Sequence, residues 1–163
     1  TPNDAIIIAS GTTVLAFARC IPPEAQLTVL TSAMNVAMAL LNCQQVEGIQ
    51  LGGIVRNTSS SVTGEYALRM LENFSGTKLF LGVDGIDLKY GLTTTNFMEA
   101  SVNRAMIDAA QKIIVLTDSS KFGRRGFGKI CELDAVDQII TDSGVSPKVV
   151  PELEELGIKV SIV

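Results

Sequence analysis

The 163-residue chain contains no histidine. That absence removes Ser-His-Asp triads, zinc-binding H-E-x-x-H helices and imidazole proton shuttles from the chemistry open to it. Cysteine is scarce: Cys20, Cys43 and Cys131 lie far apart, form no C-x-x-C pair and have no histidine to complete a zinc site. They read as buried thiols in a reducing compartment, because a reactive thiolate needs a neighbouring base or cation. Long apolar runs are missing too. None approaches the roughly 18–20 residues of a membrane span, and the opening TPNDAIII lacks the basic and apolar regions of a secretory signal. A cytoplasmic protein without membrane contact is the expectation. Nor is positive charge in excess: 13 Lys and Arg against 17 Asp and Glu leave a net charge of −4, the wrong sign for a surface that neutralises duplex phosphates.

What is present is a globular composition, 47% apolar and 18% charged, with 14 Gly and 5 Pro. The length suits one domain, residues 1–163, able to bury a core without disulfides, metal or cofactor. Strand-like runs recur at AIIIA (5–9), LTVLT (27–31), GIQLG (48–52), KLFLGVDG (78–85), KIIVLT (112–117), DQIIT (137–141) and IKVSIV (158–163). Nearly all are continuous rather than alternating, as strands covered on both faces should be. Between them fall segments of helical period: Val14, Leu15, Ala18; Val36, Ala37, Leu40, Leu41; Ala67, Leu68, Leu71; Met98, Val102, Ala105, Met106, Ala109; and Val149, Leu153, Leu156. Alternating strand and helix predict an α/β fold: an open, mostly parallel, Rossmann-like sheet with helices on both faces and a ligand beyond the carboxyl ends of its strands.

The loops at those ends are rich in small, hydroxylated and charged residues. They hold Ser10-Gly11-Thr12-Thr13, Ser32 with Asn35, Gly52-Gly53, Asp84-Gly85 and, after the fifth run, Asp118-Ser119-Ser120-Lys121. Ser and Thr before a helix are ordinary caps, yet the same loop leaves backbone amides free for an anion, and both readings stand. Lys121, followed by Arg124, Arg125 and Lys129 in KFGRRGFGK, favours the anion. Asp84 between glycines and Glu99 early in a helix have bland explanations as turn former and dipole partner. Sharing a rim with Lys121, they could instead bind sugar hydroxyls or move protons between sugar carbons. Gly123 to Lys129 matches G-x-x-x-x-G-K, but Ile130 stands where a nucleotide loop needs a hydroxyl.

Together these segments resemble a family: the C-terminal sugar-phosphate-sensing domain of DeoR-type bacterial transcriptional regulators, also called the GlpR family. The matching stretches are SGTT (10–13), LGG-x-x-R (51–56), GEYAL (64–68), GVDGID (82–87) with GLTT (91–94), Glu99 with NRAMIDAA (103–110), DSSKFGRRGF (118–127) and the ITD ending at 142. The resemblance implies a fold similar to ribose-5-phosphate isomerase and CoA-transferase-like proteins. It also implies a phosphorylated sugar or polyol effector whose binding alters the affinity of a repressor for its operator. Ser10, Gly11, Thr12 and Thr13 would cradle the phosphate with Lys121. Gly52 and Gly53 would admit the ligand to the backbone, Gly85 would belong to the same binding set, and Ser32, Asn35, Asp84 and Glu99 would read hydroxyls. A winged helix-turn-helix of roughly 50–70 residues normally precedes such a domain. This chain lacks one, so operator DNA would be met only through that missing segment, by a homodimer or homotetramer. Two departures stand out, Ala9 where family members commonly carry an acid and Ser32 where they commonly carry Asn. The competing readings are an aldose–ketose isomerase using Asp84 or Glu99 as base, and a purely structural oligomerisation module.

Overall fold

The apolar runs do become strands, buried towards the centre of one sheet and partly exposed at its two edges. The computed structural model describes residues 4–163. In chain order they form β1 (Asp4–Ile8), α1 (Thr12–Arg19), β2 (Leu27–Thr31), α2 (Met34–Ala39), β3 (Val46–Gln50), β4 (Ile54–Arg56), β5 (Ser61–Thr63) and α3 (Glu65–Leu71). Then follow β6 (Gly76–Leu81), β7 (Gly85–Asp87), β8 (Gly91–Thr94), α4 (Phe97–Asp108), β9 (Ala110–Leu116), β10 (Gly128–Cys131), β11 (Gln138–Thr141), α5 (Val149–Glu155) and β12 (Lys159–Ile162).

Seven strands make one sheet in the order β12-β11-β9-β6-β1-β2-β3, with every neighbouring pair parallel. Each comes from one of the seven runs, although the third, fourth and fifth begin two residues early, at Val46, Gly76 and Ala110, and the fourth stops at Leu81. Side chains alternate across a strand, so β1 serves two cores at once. Ile6 and Ile8 pack with Val14 and Ala18 of α1 and Val36 of α2. Ile7 packs on the other face with Ala67 and Leu71 of α3, Val102 and Met106 of α4, and Leu153 of α5. Helices therefore cover both faces, as the unbroken apolar runs require.

The order of strands matters more than their number. From β1 the chain winds outward through β2 to β3, then returns to the other side of β1 and winds outward through β6, β9, β11 and β12. The winding reverses between β1 and β6, and at such a point the loops leaving two adjacent strands part and open a crevice.

Two smaller sheets were not foreseen. Strands β4 and β5 form an antiparallel hairpin, and β10, β8 and β7 a three-stranded antiparallel sheet. At three or four residues each they are too short to display a period. The cysteines also need correcting: Cys43 is buried and Cys131 partly so, but Cys20 is exposed. Burial, with Asp134 and Glu132 nearby, pushes the Cys131 thiol up to about 12, leaving it without thiolate character.

Candidate functional site

At the switch point lies a cavity of about 660 Å³. Its walls come from the loop after β1 (Ser10 to Thr13), the loop after β6 (Gly82 to Asp84), the β4–β5 turn, the segment from Thr94 into α4, and Lys121 beyond β9. Of the residues singled out in the sequence, Ser10, Gly11, Thr12, Thr13, Asp84, Glu99 and Lys121 meet here.

The loop after β1 is not capped by its own hydroxyls. Gly11 occupies the N-cap position of α1 at φ 137°, a conformation that costs a residue with a Cβ, and no side chain accepts a cap hydrogen bond. The first helix-internal bond runs from the Leu15 amide to the Gly11 carbonyl, so the amides of Thr12, Thr13 and Val14 have no partner within the helix. No acidic residue stands in the first turn to occupy them. Free amides at the positive end of a helix, opening on a cavity, are equipped to receive an anion.

Lys121 is presented by a pinned turn. Asp118 caps the short 3₁₀ turn Ser119–Lys121 by accepting from the Ser120 amide at 2.9 Å and from the Ser120 hydroxyl, while Asp142 accepts from the Ser119 amide at 3.1 Å. The other basic residues of KFGRRGFGK do not join it, which corrects the expectation that they act together. Arg125 pairs with Asp87 at 3.1 Å and lies over Tyr90, and Lys129 pairs with Glu132 and lies over the same ring. Arg124 is exposed away from the cavity wall. The apparent nucleotide motif leads into strand β10 rather than a helix.

Asp84 is half-buried and heavily engaged. Its Oδ2 accepts from the Thr94 hydroxyl at 2.8 Å, the Thr95 amide at 3.0 Å and the Thr95 hydroxyl at 3.0 Å. Burial pushes its carboxyl up, but those bonds and the charge of Lys121 outweigh it and hold the group below the usual carboxylate range. Such a carboxylate is an ionised acceptor and a weak base at neutral pH. Glu99 sits in the first turn of α4, which Asn96 caps by accepting from the Met98 and Glu99 amides. Its Oε2 receives Arg56 Nε at 3.1 Å.

Five anticipated residues do not line the cavity. Ser32 is buried and its carbonyl accepts the Val62 amide at 3.0 Å, tying β2 to the hairpin. The Asn35 side-chain oxygen is buried without a partner. Gly53, at φ 154°, would carry a Cβ 2.5 Å from the Thr63 carbonyl, and Gly52 precedes it in the same turn. A Cβ on Gly85 would come within 2.4 Å of the Arg124 carbonyl, so this glycine serves the packing of two loops. Ala9 faces the core, fully buried, with its amide on the Phe80 carbonyl. Conversely, Arg56, Thr58, Ser59, Asn96 and Asn103 line the cavity unanticipated. Asn103 stands four residues after Glu99, and that spacing on one helix is the signal that would have found it.

Four carboxylates are stabilised in their charged form. Asp87 is lowered to about 2 by Arg125 and the Tyr90 and Lys89 amides, and Asp84, Asp118 and Asp142 are lowered as well. Their folded values lie below the unfolded one of about 3.9, so their contribution is whole above that pH and lost as pH falls through the folded values. The midpoint of thermal unfolding is therefore expected to be level above about pH 5 and to drop between about pH 4 and 2. A midpoint unchanged down to pH 2.5 would contradict these assignments.

An α/β domain with a polar cavity at a topological switch point has the architecture in which ligand sites of open sheets are found. The chain belongs to the DeoR C terminal sensor domain family, whose model matches residues 1–143. It is 41% identical over 162 residues to a protein of Escherichia coli O157:H7 named for transcriptional repression of the aga operon, covering 99% of this chain and 60% of that protein. It is 37% identical to the HTH-type transcriptional regulator YulB of Bacillus subtilis (strain 168), across 99% of this chain and 62% of the relative. With the HTH-type transcriptional regulator GlpR of Haloferax volcanii it shares 31% identity over 95% of this chain and 60% of the relative. The chain thus spans about 60% of the length of the curated relatives it matches. Among solved structures it is similar to eIF2B beta from Chaetomium thermophilum, with a TM-score of 0.53 at 14% identity over 85% of this chain and 43% of that one, a likeness of fold. No helix among the described residues is long and apolar enough to cross a membrane, and those residues contain no acidic or thiol cluster able to hold a metal ion.

Proposed function

We propose that the cavity takes a phosphorylated sugar or polyol and that the chain senses it without converting it, as the effector domain of a cytoplasmic DeoR-type repressor of sugar metabolism. One observation carries the reading: the uncapped N-terminus of α1 opens on the same cavity as Lys121, a cation with no ion pair of its own among the described residues. Phosphate answers both features, with oxygens for the amides and charge for the ammonium. The cavity is large enough for a small ligand. In a longer protein the ligand would shift the affinity for operator DNA to the extent that it binds one state better than another, with the recognition helices supplied by a separate segment and paired in a dimer or tetramer.

The isomerase alternative asks for a carboxylate free to accept a carbon-bound proton. Asp84 is held ionised by Thr94, Thr95 and Lys121, and Glu99 is engaged by Arg56, which favours sensing over turnover. A thermal-shift titration against phosphorylated pentoses, hexoses and polyols tests the proposal. A specific ligand at 100 times its dissociation constant should stabilise the fold by about 2.7 kcal/mol. NMR of the same mixtures should show unchanged isomer ratios. A panel without any shift would support a purely structural module, and isomer interconversion lost in Lys121→Ala would overturn the sensing reading.

A further inference from the structure

Asn103 is a polar side chain where the packing of α4 asks for an apolar one. It lies between the core residues Val102 and Met106, is 6% exposed, and lines the cavity. Its carboxamide makes no hydrogen bond to the described residues. Its amide atoms are not sealed into the core but open on the cavity, so their hydrogen-bonding capacity is left for a ligand. The side-chain atoms that are fully occluded without partners, on Asn35, Thr63 and Thr141, do not line this cavity. Beside Asn103 stand Glu99, one helical turn earlier, and Arg56, reaching across from β4. Their contact uses only Arg56 Nε and Glu99 Oε2, so the terminal guanidinium nitrogens and Glu99 Oε1 remain available.

We infer that Asn103, with Arg56 and Glu99, forms a second subsite of the same cavity that recognises an uncharged polyhydroxy portion of the ligand, and that Asn103 determines specificity there. The inference rests on the sugar-phosphate reading above. The charges of Arg56 and Glu99 cancel. A second phosphate or a carboxylate placed there would meet the Glu99 carboxylate, and an ammonium group would meet Arg56. Hydroxyl groups donate and accept alike, matching the amide, the carboxylate and the guanidinium together. The ligand class is a monophosphate whose remaining carbons carry neutral hydroxyls.

Calorimetric titration of the wild-type chain, Asn103→Ala and Asn103→Leu provides the test. The probes are inorganic phosphate, glucose 6-phosphate, fructose 6-phosphate, galactose 6-phosphate, sorbitol 6-phosphate, ribose 5-phosphate, fructose 1,6-bisphosphate and 6-phosphogluconate. The best monophosphate should lose about tenfold in affinity for both variants, while inorganic phosphate binds all three proteins equally. The variants should melt within about 2 °C of the wild type, since the amide makes no hydrogen bond to the described residues that its removal would break. Equal losses for phosphate and sugar phosphate, or a melting temperature lowered further than that, would make Asn103 a structural residue and overturn the inference. So would unchanged sugar-phosphate affinity, or tighter binding of the bisphosphate than of fructose 6-phosphate. If the wild type binds inorganic phosphate but no organic probe, this subsite assignment fails alone. If it binds none of the probes, the sugar-phosphate reading fails and takes this one with it.

Discussion

Replacing Lys121 by Ala is expected to weaken binding of inorganic phosphate and of sugar phosphates by about ten- to a hundredfold while moving the melting temperature by no more than about 2 °C. The two halves of that expectation have separate causes. A hydrogen bond to a charged group contributes about 1.5–3 kcal/mol, and each 1.4 kcal/mol is a factor of ten in affinity. The folded chain, by contrast, loses little. The Lys121 ammonium makes no salt bridge or hydrogen bond among the described residues, and its favourable field at Asp84 ranks below the bonds from Thr94 and Thr95. Lys129→Ala is the matched control. Its ammonium lies over Tyr90 and beside Glu132, outside the cavity, and its removal should leave phosphate affinity unchanged. Equal losses in the two variants, measured by calorimetry at constant ionic strength, would mean that phosphate is held by diffuse charge and not at the α1 terminus.

The largest expected loss of stability falls at Gly91. It turns the β7–β8 hairpin at φ 107°, and a Cβ there would stand 2.2 Å from the Cys131 carbonyl and 3.1 Å from the Glu132 Cα. Both obstacles are backbone, so no rotamer change relieves them. Strain at a positive φ and overpacking each cost about 1–3 kcal/mol, so Gly91→Ala should lose about 4 kcal/mol and melt about 8–16 °C lower. Gly123→Ala offers a comparison, because Gly123 has φ 83° but nothing within 4 Å of a Cβ. It should lose only the conformational part, about 1–2 kcal/mol. Melting by circular dichroism distinguishes them, and equal losses would show that the clash at Gly91 is relieved by movement of β10.

Hydrophobic continuity made the seven central strands legible. A run such as Ile6-Ile7-Ile8 has no polar face to offer water, so it can only lie between two layers, and it does. Helical period did the same for α1 to α5. That the loop after β1 and Lys121 would share a rim was legible for a related reason: glycine, small hydroxyls and a lone cation in loops have local preferences that do not await the fold. The β7, β8 and β10 strands were not, because three or four residues hold too little pattern. Arg56 stood in a recognised motif, LGG-x-x-R, and still went unassigned, since nothing near it in the chain foretells a partner 43 residues away.

What the sequence by itself determined is the class: an α/β layering, with small, hydroxylated and charged residues gathered at the carboxyl rim and an uncapped first helix. These follow from nearest-neighbour chemistry, the spacing of apolar side chains and the caps and turns between them. What only the tertiary structure decided is which rim residues meet. Winding outward from β1 in both directions places the β1, β6 and β9 loops together, and leaves Ser32, Asn35, Gly52 and Gly53 outside the cavity. The same winding brings the β4–β5 hairpin over α4, so that Arg56 finds Glu99 beside a buried amide at Asn103. Strand order is set by burial summed over the whole sheet, and no single segment carries that sum.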